Sequence, residues 1–121
     1  MNEANKRKGE RLYRPASVKL MIGDRTFAVH NLSVDGVGFV SDDPLPFKID
    51  ERLPMTIELQ GSFVEMEGHV MHLSPISDLR SNVLLDKERY LCGVGFEPDE
   101  LEAREAIASF VDSRLQEKRA S

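Results

Sequence analysis

Two clusters of residues carry the side chains best suited to binding chemistry. Arg7, Arg11 and Arg14 stand at the start of the chain, and Asn31-Leu32-Ser33-Val34-Asp35-Gly36 follows some sixteen residues later. A guanidinium presents a planar fork of donors that bonds phosphate oxygens, grips a base edge bidentately, or stacks on a ring, and lysine does not do all three. Asn31 offers amide donors and an acceptor suited to a base edge, and the Ser33 hydroxyl bonds neighbouring backbone or a ligand. Gly36 supplies a residue without Cβ, free to take positive φ in a turn and leaving space beside it for a flat ring. Taken alone, the second cluster also fits an ordinary Asx/Ser turn, and the first a solvated basic tail.

The elements that must position these groups are strands. Val18, Leu20 and Ile22 alternate with polar neighbours, Gly23-Asp24 forms a turn, and Phe27 and Val29 resume the alternation, which predicts a hairpin. A turn over 31–36 leads to a short strand with Val37 and Phe39, stopped by Asp42-Asp43-Pro44 and Pro46. Leu53, Met55, Ile57 and Leu59, then Gly61-Ser62, then Val64, Met66 and Val70 predict a second hairpin. Residues 74–88 have no clear period, although Val83-Leu84-Leu85 could pair locally or meet a partner. Tyr90, Cys92, Val94 and Phe96 share one face of a last strand, with Gly93 and Gly95 on the other, where another chain segment can approach closely. Asp99 and Glu102 resemble a helix-capping pair, and Ala103, Ile107, Phe110 and Leu115 predict an amphipathic helix over about 99–118. The expected fold is mainly β, six antiparallel strands in a barrel, with the C-terminal helix covering an open end or edge.

Composition narrows the class of ligand. The 121 residues suffice for one domain with its own core. Residues 1–14 hold five basic side chains against Glu3 and Glu10, a net +3, and read as a flexible arm before a domain of 15–121. With a total of −5, the rest carries −8, which favours a small anion over a long nucleic-acid backbone. No DNA or RNA partner and no membrane insertion are expected. Lone Cys92 and the lack of an apolar leader suggest a reducing, cytoplasmic setting.

The arm and the Asn-x-Ser-x-x-Gly turn, together with Gly93-Val94-Gly95-Phe96 leading into an acidic-start helix, resemble the PilZ domain family from about Arg11 to the terminal helix. The family pattern is Arg-x-x-x-Arg followed by Asp/Asn-x-Ser-x-x-Gly. The resemblance implies a six-stranded antiparallel barrel, no catalysis, and capture of cyclic di-GMP by Arg7, Arg11, Arg14, Asn31, Ser33 and Gly36, with no other cofactor. Arg14 stands just before the first strand, but the position four residues earlier holds Glu10, so the pair is either Arg11 with Arg14 at shorter spacing or Arg7 with Arg11 at full spacing. The implied role is a stand-alone bacterial receptor, monomer or homodimer, whose arm folds over the dinucleotide and presents a surface to an effector protein in motility, biofilm or exopolysaccharide control. A second reading is a PilZ-like adaptor without nucleotide, acting by protein contacts, and Glu10 favours it. A binder of single-stranded nucleic acid ranks last, given the acidic body and few aromatic residues.

Other signals carry less. His69 and His72, at odd spacing in one strand, should face opposite ways and not share a metal. His30 could stack on a base or line the site, though as a strand histidine it reads as surface. Cys92 reads as a small core residue. Asn31-Leu32-Ser33 matches a glycosylation sequon by accident, and Asp42-Asp43 is a solvated turn. The glycines at 36, 38, 93 and 95 open no helix, so no phosphate loop is expected.

Overall fold

A computed structural model describes residues 11–76 and 89–120. The strands are β1 (Leu12–Tyr13), β2 (Val18–Ile22), β3 (Arg25–Leu32), β4 (Gly36–Ser41), β5 (Arg52–Leu59), β6 (Ser62–Ile76) and β7 (Arg89–Phe96), followed by one helix, α1 (Leu101–Ala120). All pairings are antiparallel. β3, β2, β5, β6, β7 and β4 follow one another around the sheet, and the β3–β4 pairing closes it into the expected six-stranded barrel. Closure removes the open edges that an antiparallel sheet otherwise exposes.

Each hairpin turn follows from its residues. Ile22 pairs with Arg25 across Gly23-Asp24, and only Gly23 has positive φ, +64°, the pattern of a type II′ turn. Leu59 pairs with Ser62 across Gln60 and Gly61, both at positive φ (54° and 94°), which is the type I′ pattern. The alternating apolar residues point inward: Leu20, Leu32, Phe39, Ile57, Val70 and Cys92 are fully buried, and the Phe27 and Phe39 rings pack 4.6 Å apart. Burial pushes the Cys92 thiol pKa up to about 11, in keeping with a core residue.

Three features depart from the expected arrangement. Leu12–Tyr13, assigned to the arm, form β1: Leu12 pairs with Leu32 and Tyr13 with Asn31, along the edge of β3 that β2 leaves free. Leu12 is buried because the helix packs over it, α1 touching both β1 and β6. β6 runs on to Ile76, pairing with β7 into the segment without sequence period; Val83-Leu84-Leu85 lie outside the described residues. The helix starts at Leu101 with Glu100 as its cap, not Asp99: the Glu100 carbonyl accepts the Arg104 amide at 3.0 Å. The Glu100 carboxylate is instead turned to β6, where it accepts the Glu67 amide at 2.7 Å. Ala103, Ile107 and Val111 bury the helix face in the core, with Phe110 and Leu115 packed beside them.

Candidate functional site

Two extra residues in the barrel decide where the binding groups point. In β3, Val29 lies opposite Phe39, yet Asn31 lies opposite Gly38, so His30 is a bulge. Strict alternation from Phe27 and Val29 would turn Asn31 into the core; the bulge re-aims it outward and keeps Leu32 inside. β6 repeats the device. Val70 pairs with Val94 and His72 with Gly93, leaving Met71 as the extra residue. His72 therefore projects outward, on the same side as His69, which corrects the expectation of opposite faces. Even so, no group of three or more metal-ligating side chains occurs among the described residues. His69 instead bonds the Glu97 carboxylate at 2.7 Å.

Between these bulges lies a floor of glycines. Gly36 pairs with Gly95 and Gly38 with Gly93 across β4 and β7, whose alternate residues Val37, Phe39, Cys92 and Val94 fill the core. A methyl group at Gly38 would stand 2.6 Å from Asn31 Nδ2, and one at Gly93 would stand 2.8 Å from His72 Nδ1 and 2.9 Å from Nε2. The Asn31 amide and the His72 ring thus lie flat over the two glycines. The groove above them, about 390 Å³, is walled by Arg11, Tyr13, Asp35, Met71 and Leu91.

Arg11 reaches the turn with its side chain: Nη1 donates to Asn31 Oδ1 at 2.6 Å. Asn31 Nδ2 lies 3.0 Å from His30 Nδ1, and His30 meets the Tyr13 ring edge-on with centroids 6.2 Å apart. Arg14 is not brought to this groove. Its amide donates to the His30 carbonyl at 2.8 Å, its φ is +49°, and it lines cavities on the other side of β1, one of them with Arg114 and Glu117. Arg7 lies outside the described residues.

Ser33 and Gly36 build the turn. Ser33 is 1% exposed; its hydroxyl accepts the Asp35 amide at 3.2 Å and lies 3.5 Å from the Gly36 carbonyl, which also accepts the Ser33 amide at 2.9 Å. Gly36 does not use a left-handed conformation. It is needed because a Cβ there would stand 2.5 Å from the Val94 carbonyl oxygen of β7. Asp35 ties the turn to the helix, its carboxylate 3.1 Å from Arg104 Nη2 and its carbonyl accepting the Phe96 amide at 2.9 Å. Nothing in the residue order marks Tyr13, Met71 or His72 as groove residues, since their placement depends on β1 and on a bulge that period-2 alternation does not signal.

Comparison with known proteins places this architecture. The chain resembles the MrkH–c-di-GMP complex of K. pneumonia (TM-score 0.73, 17% identity, 93% of this chain and 54% of that one). It also resembles the Bacillus subtilis inhibitor of motility, MotI/DgrA (TM-score 0.66, 19% identity, 89% and 50%). The PilZ domain of YcgR from Escherichia coli, solved with c-di-GMP, matches over nearly its whole length (TM-score 0.59, 15% identity, 93% and 95%). This chain spans about half the length of the MrkH and MotI chains. No curated protein matches it in sequence. The sequence pattern of the PilZ domain covers residues 5–113, and the chain belongs to the PilZ domain family.

Proposed function

We propose that this chain is a cyclic di-GMP receptor module, binding the dinucleotide on the outer face of the barrel between β1 and β6. The observation that carries the reading is the Arg11–Asn31 contact at the head of a glycine-floored groove. Arg11 brings the cation and fork that a phosphate or the guanine O6/N7 edge requires, and the Asn31 carbonyl suits the guanine N2 donor. Arg11 and Asn31 satisfy each other, and the ligand takes over both. Kinship with the family supports the ligand, as do two of the neighbours, MrkH and YcgR, solved with c-di-GMP.

In this reading Arg7 and Arg11, at full Arg-x-x-x-Arg spacing, are the arm's pair, and Glu10 is not a defect of the motif. Arg14 holds the far side of β1. Ser33 and Gly36 act by fixing the turn that carries Asn31, without touching the ligand. Residues 1–14 supply the basic arm, and residues 15–121 the barrel with its helix. The bound state signals to an effector protein in the cytoplasm, in control of motility, biofilm or exopolysaccharide; the chain carries no catalytic step. The comparison with the inhibitor of motility supports motility among these. No described helix is long and apolar enough to cross a membrane.

Calorimetric titration of cyclic di-GMP into wild type, Arg11→Ala and Arg14→Ala tests the reading. Wild type and Arg14→Ala should bind alike, and Arg11→Ala should lose about tenfold or more, as expected for one charge-assisted contact of about 1.5–3 kcal/mol. Absence of heat with folded wild type would leave the adaptor reading in its place.

A further inference from the structure

The pairings across the barrel place Tyr13, Asn31, Gly38, Gly93 and His72 in one continuous row, one residue each from β1, β3, β4, β7 and β6. A row across a sheet runs perpendicular to the strands, with neighbours about 4.8 Å apart, so the backbones of Asn31 and His72 are separated by about 14 Å along the barrel surface, their side chains leaning inward over Gly38 and Gly93. The ends of this row carry rings, Tyr13 and His72, and its middle carries no side chain at all. Arg11 and Asn31 supply hydrogen-bonding groups near Tyr13. At the opposite end, His72 and its exposed neighbour Met71 offer a flat, polarisable surface that the family motif does not account for. A ligand held only by Arg11 and Asn31 would leave that end unused. A ligand with two bases joined through phosphates reaches both.

We propose that His72 is a binding residue for the second base of the dinucleotide, stacking its imidazole on the guanine that Arg11 and Asn31 do not hold. The inference rests on the cyclic di-GMP reading of the same groove. Three observations support it. The Met71 bulge turns outward a ring that strict alternation would bury with Val70. Gly93 lets that ring lie against the β7 backbone, where any Cβ would lift it. Gly38 and Gly93, the two positions between Asn31 and His72, carry no side chain of their own, so the Asn31 amide and the His72 ring lie on the backbone and turn their flat faces to a planar base. Base–aromatic stacking tolerates any base, so His72 adds affinity and retention of the two-base ligand, with base identity read at the Asn31 end.

The test is calorimetry with cyclic di-GMP on wild type, Arg11→Ala, His72→Ala and His72→Phe, with a thermal melt of each. His72→Ala should bind about ten- to hundredfold more weakly than wild type, the loss of one stacked base. His72→Phe, which keeps a flat ring, should stay within about threefold of wild type on the same stacking argument, and both variants should melt like wild type because the ring is on the surface. A His72→Trp variant gives a second readout, since the chain contains no other tryptophan. Its emission should be quenched by the ligand along the calorimetric isotherm. Wild-type affinity in His72→Ala, with Arg11→Ala impaired, would overturn the role of His72 and leave the receptor reading standing. Loss in His72→Phe equal to that in His72→Ala, or unquenched tryptophan at saturation, would overturn stacking. No binding by wild type would overturn both.

Discussion

Replacing Gly36 by alanine asks whether that residue serves the ligand or the barrel. The added Cβ would stand 2.5 Å from the Val94 carbonyl oxygen and 3.4 Å from Gly95 Cα, both backbone atoms of β7. Ordinary contact distances begin at about 3.5 Å, so β4 and β7 would have to part by nearly 1 Å. Neither strand lies at an edge: β4 is held by β3 and β7, and β7 by β4 and β6. The same movement strains the bonds from the Ser33 amide to the Gly36 carbonyl and from the Phe96 amide to the Asp35 carbonyl. Overpacking of this kind costs about 1–3 kcal/mol. At roughly 4 °C per kcal/mol for a domain of this size, the midpoint should fall by about 4–12 °C. The assay is a circular-dichroism melt without ligand, with Glu105→Ala as the control. Glu105 is exposed on α1, so the control should change stability by less than about 0.5 kcal/mol. A Gly36→Ala melt within about 1 °C of wild type would refute the backbone argument and return Gly36 to the ligand.

Three further outcomes follow from the core, the helix and the turn. Cys92 has its pKa raised from 9.0 to about 11, so the native state holds the proton longer than the unfolded chain; stability should be level below about pH 9 and fall as pH rises toward 11, by about 2–3 kcal/mol. Denaturant melts from pH 7 to 10.5 should show this slope in wild type and lack it in Cys92→Ala. Ile107→Ala, truncating a fully buried helix residue, should cost about 2–5 kcal/mol in a urea melt; a cost below about 1 kcal/mol would mean that the helix is not part of the core. Arg104→Ala breaks a half-exposed ion pair with Asp35 and should cost less than about 1 kcal/mol, less still in 1 M salt. A larger, salt-independent loss would show that the pair holds the turn against the helix more firmly than its exposure allows.

Much of this protein is legible in its residue order, and the exceptions share a cause. Alternation marked the hairpins because each strand has one face in the core, and the glycines at 23 and 61 marked their turns. Asn31 and Arg11 stood out by type and spacing, and they do touch. What alternation cannot register is an added residue: bulges at His30 and Met71 shift the phase without changing composition, so alternation alone turns both Asn31 and His72 into the core. Gly36 looked like a conformational requirement because its neighbours in sequence form a turn, whereas its true constraint, the Val94 carbonyl, lies 58 residues away. Arg14 and Arg11 are three apart and equally basic, and only the pairing of Leu12–Tyr13 with β3 sends them to different sides. Asp99 fits a cap by type, but Glu100 is the residue whose carboxylate reaches the Glu67 amide.

The central claim is that cyclic di-GMP binds over the glycine floor between Asn31 and His72. Glycine amides resonate in a sparsely occupied part of the proton–nitrogen spectrum, so a titration followed there is the most direct measurement. Gly38, Gly93 and Gly95 should shift progressively with ligand and saturate together, while Gly23 and Gly61, in the hairpin turns, stay in place. Saturating ligand that leaves the three floor glycines unmoved would contradict the account.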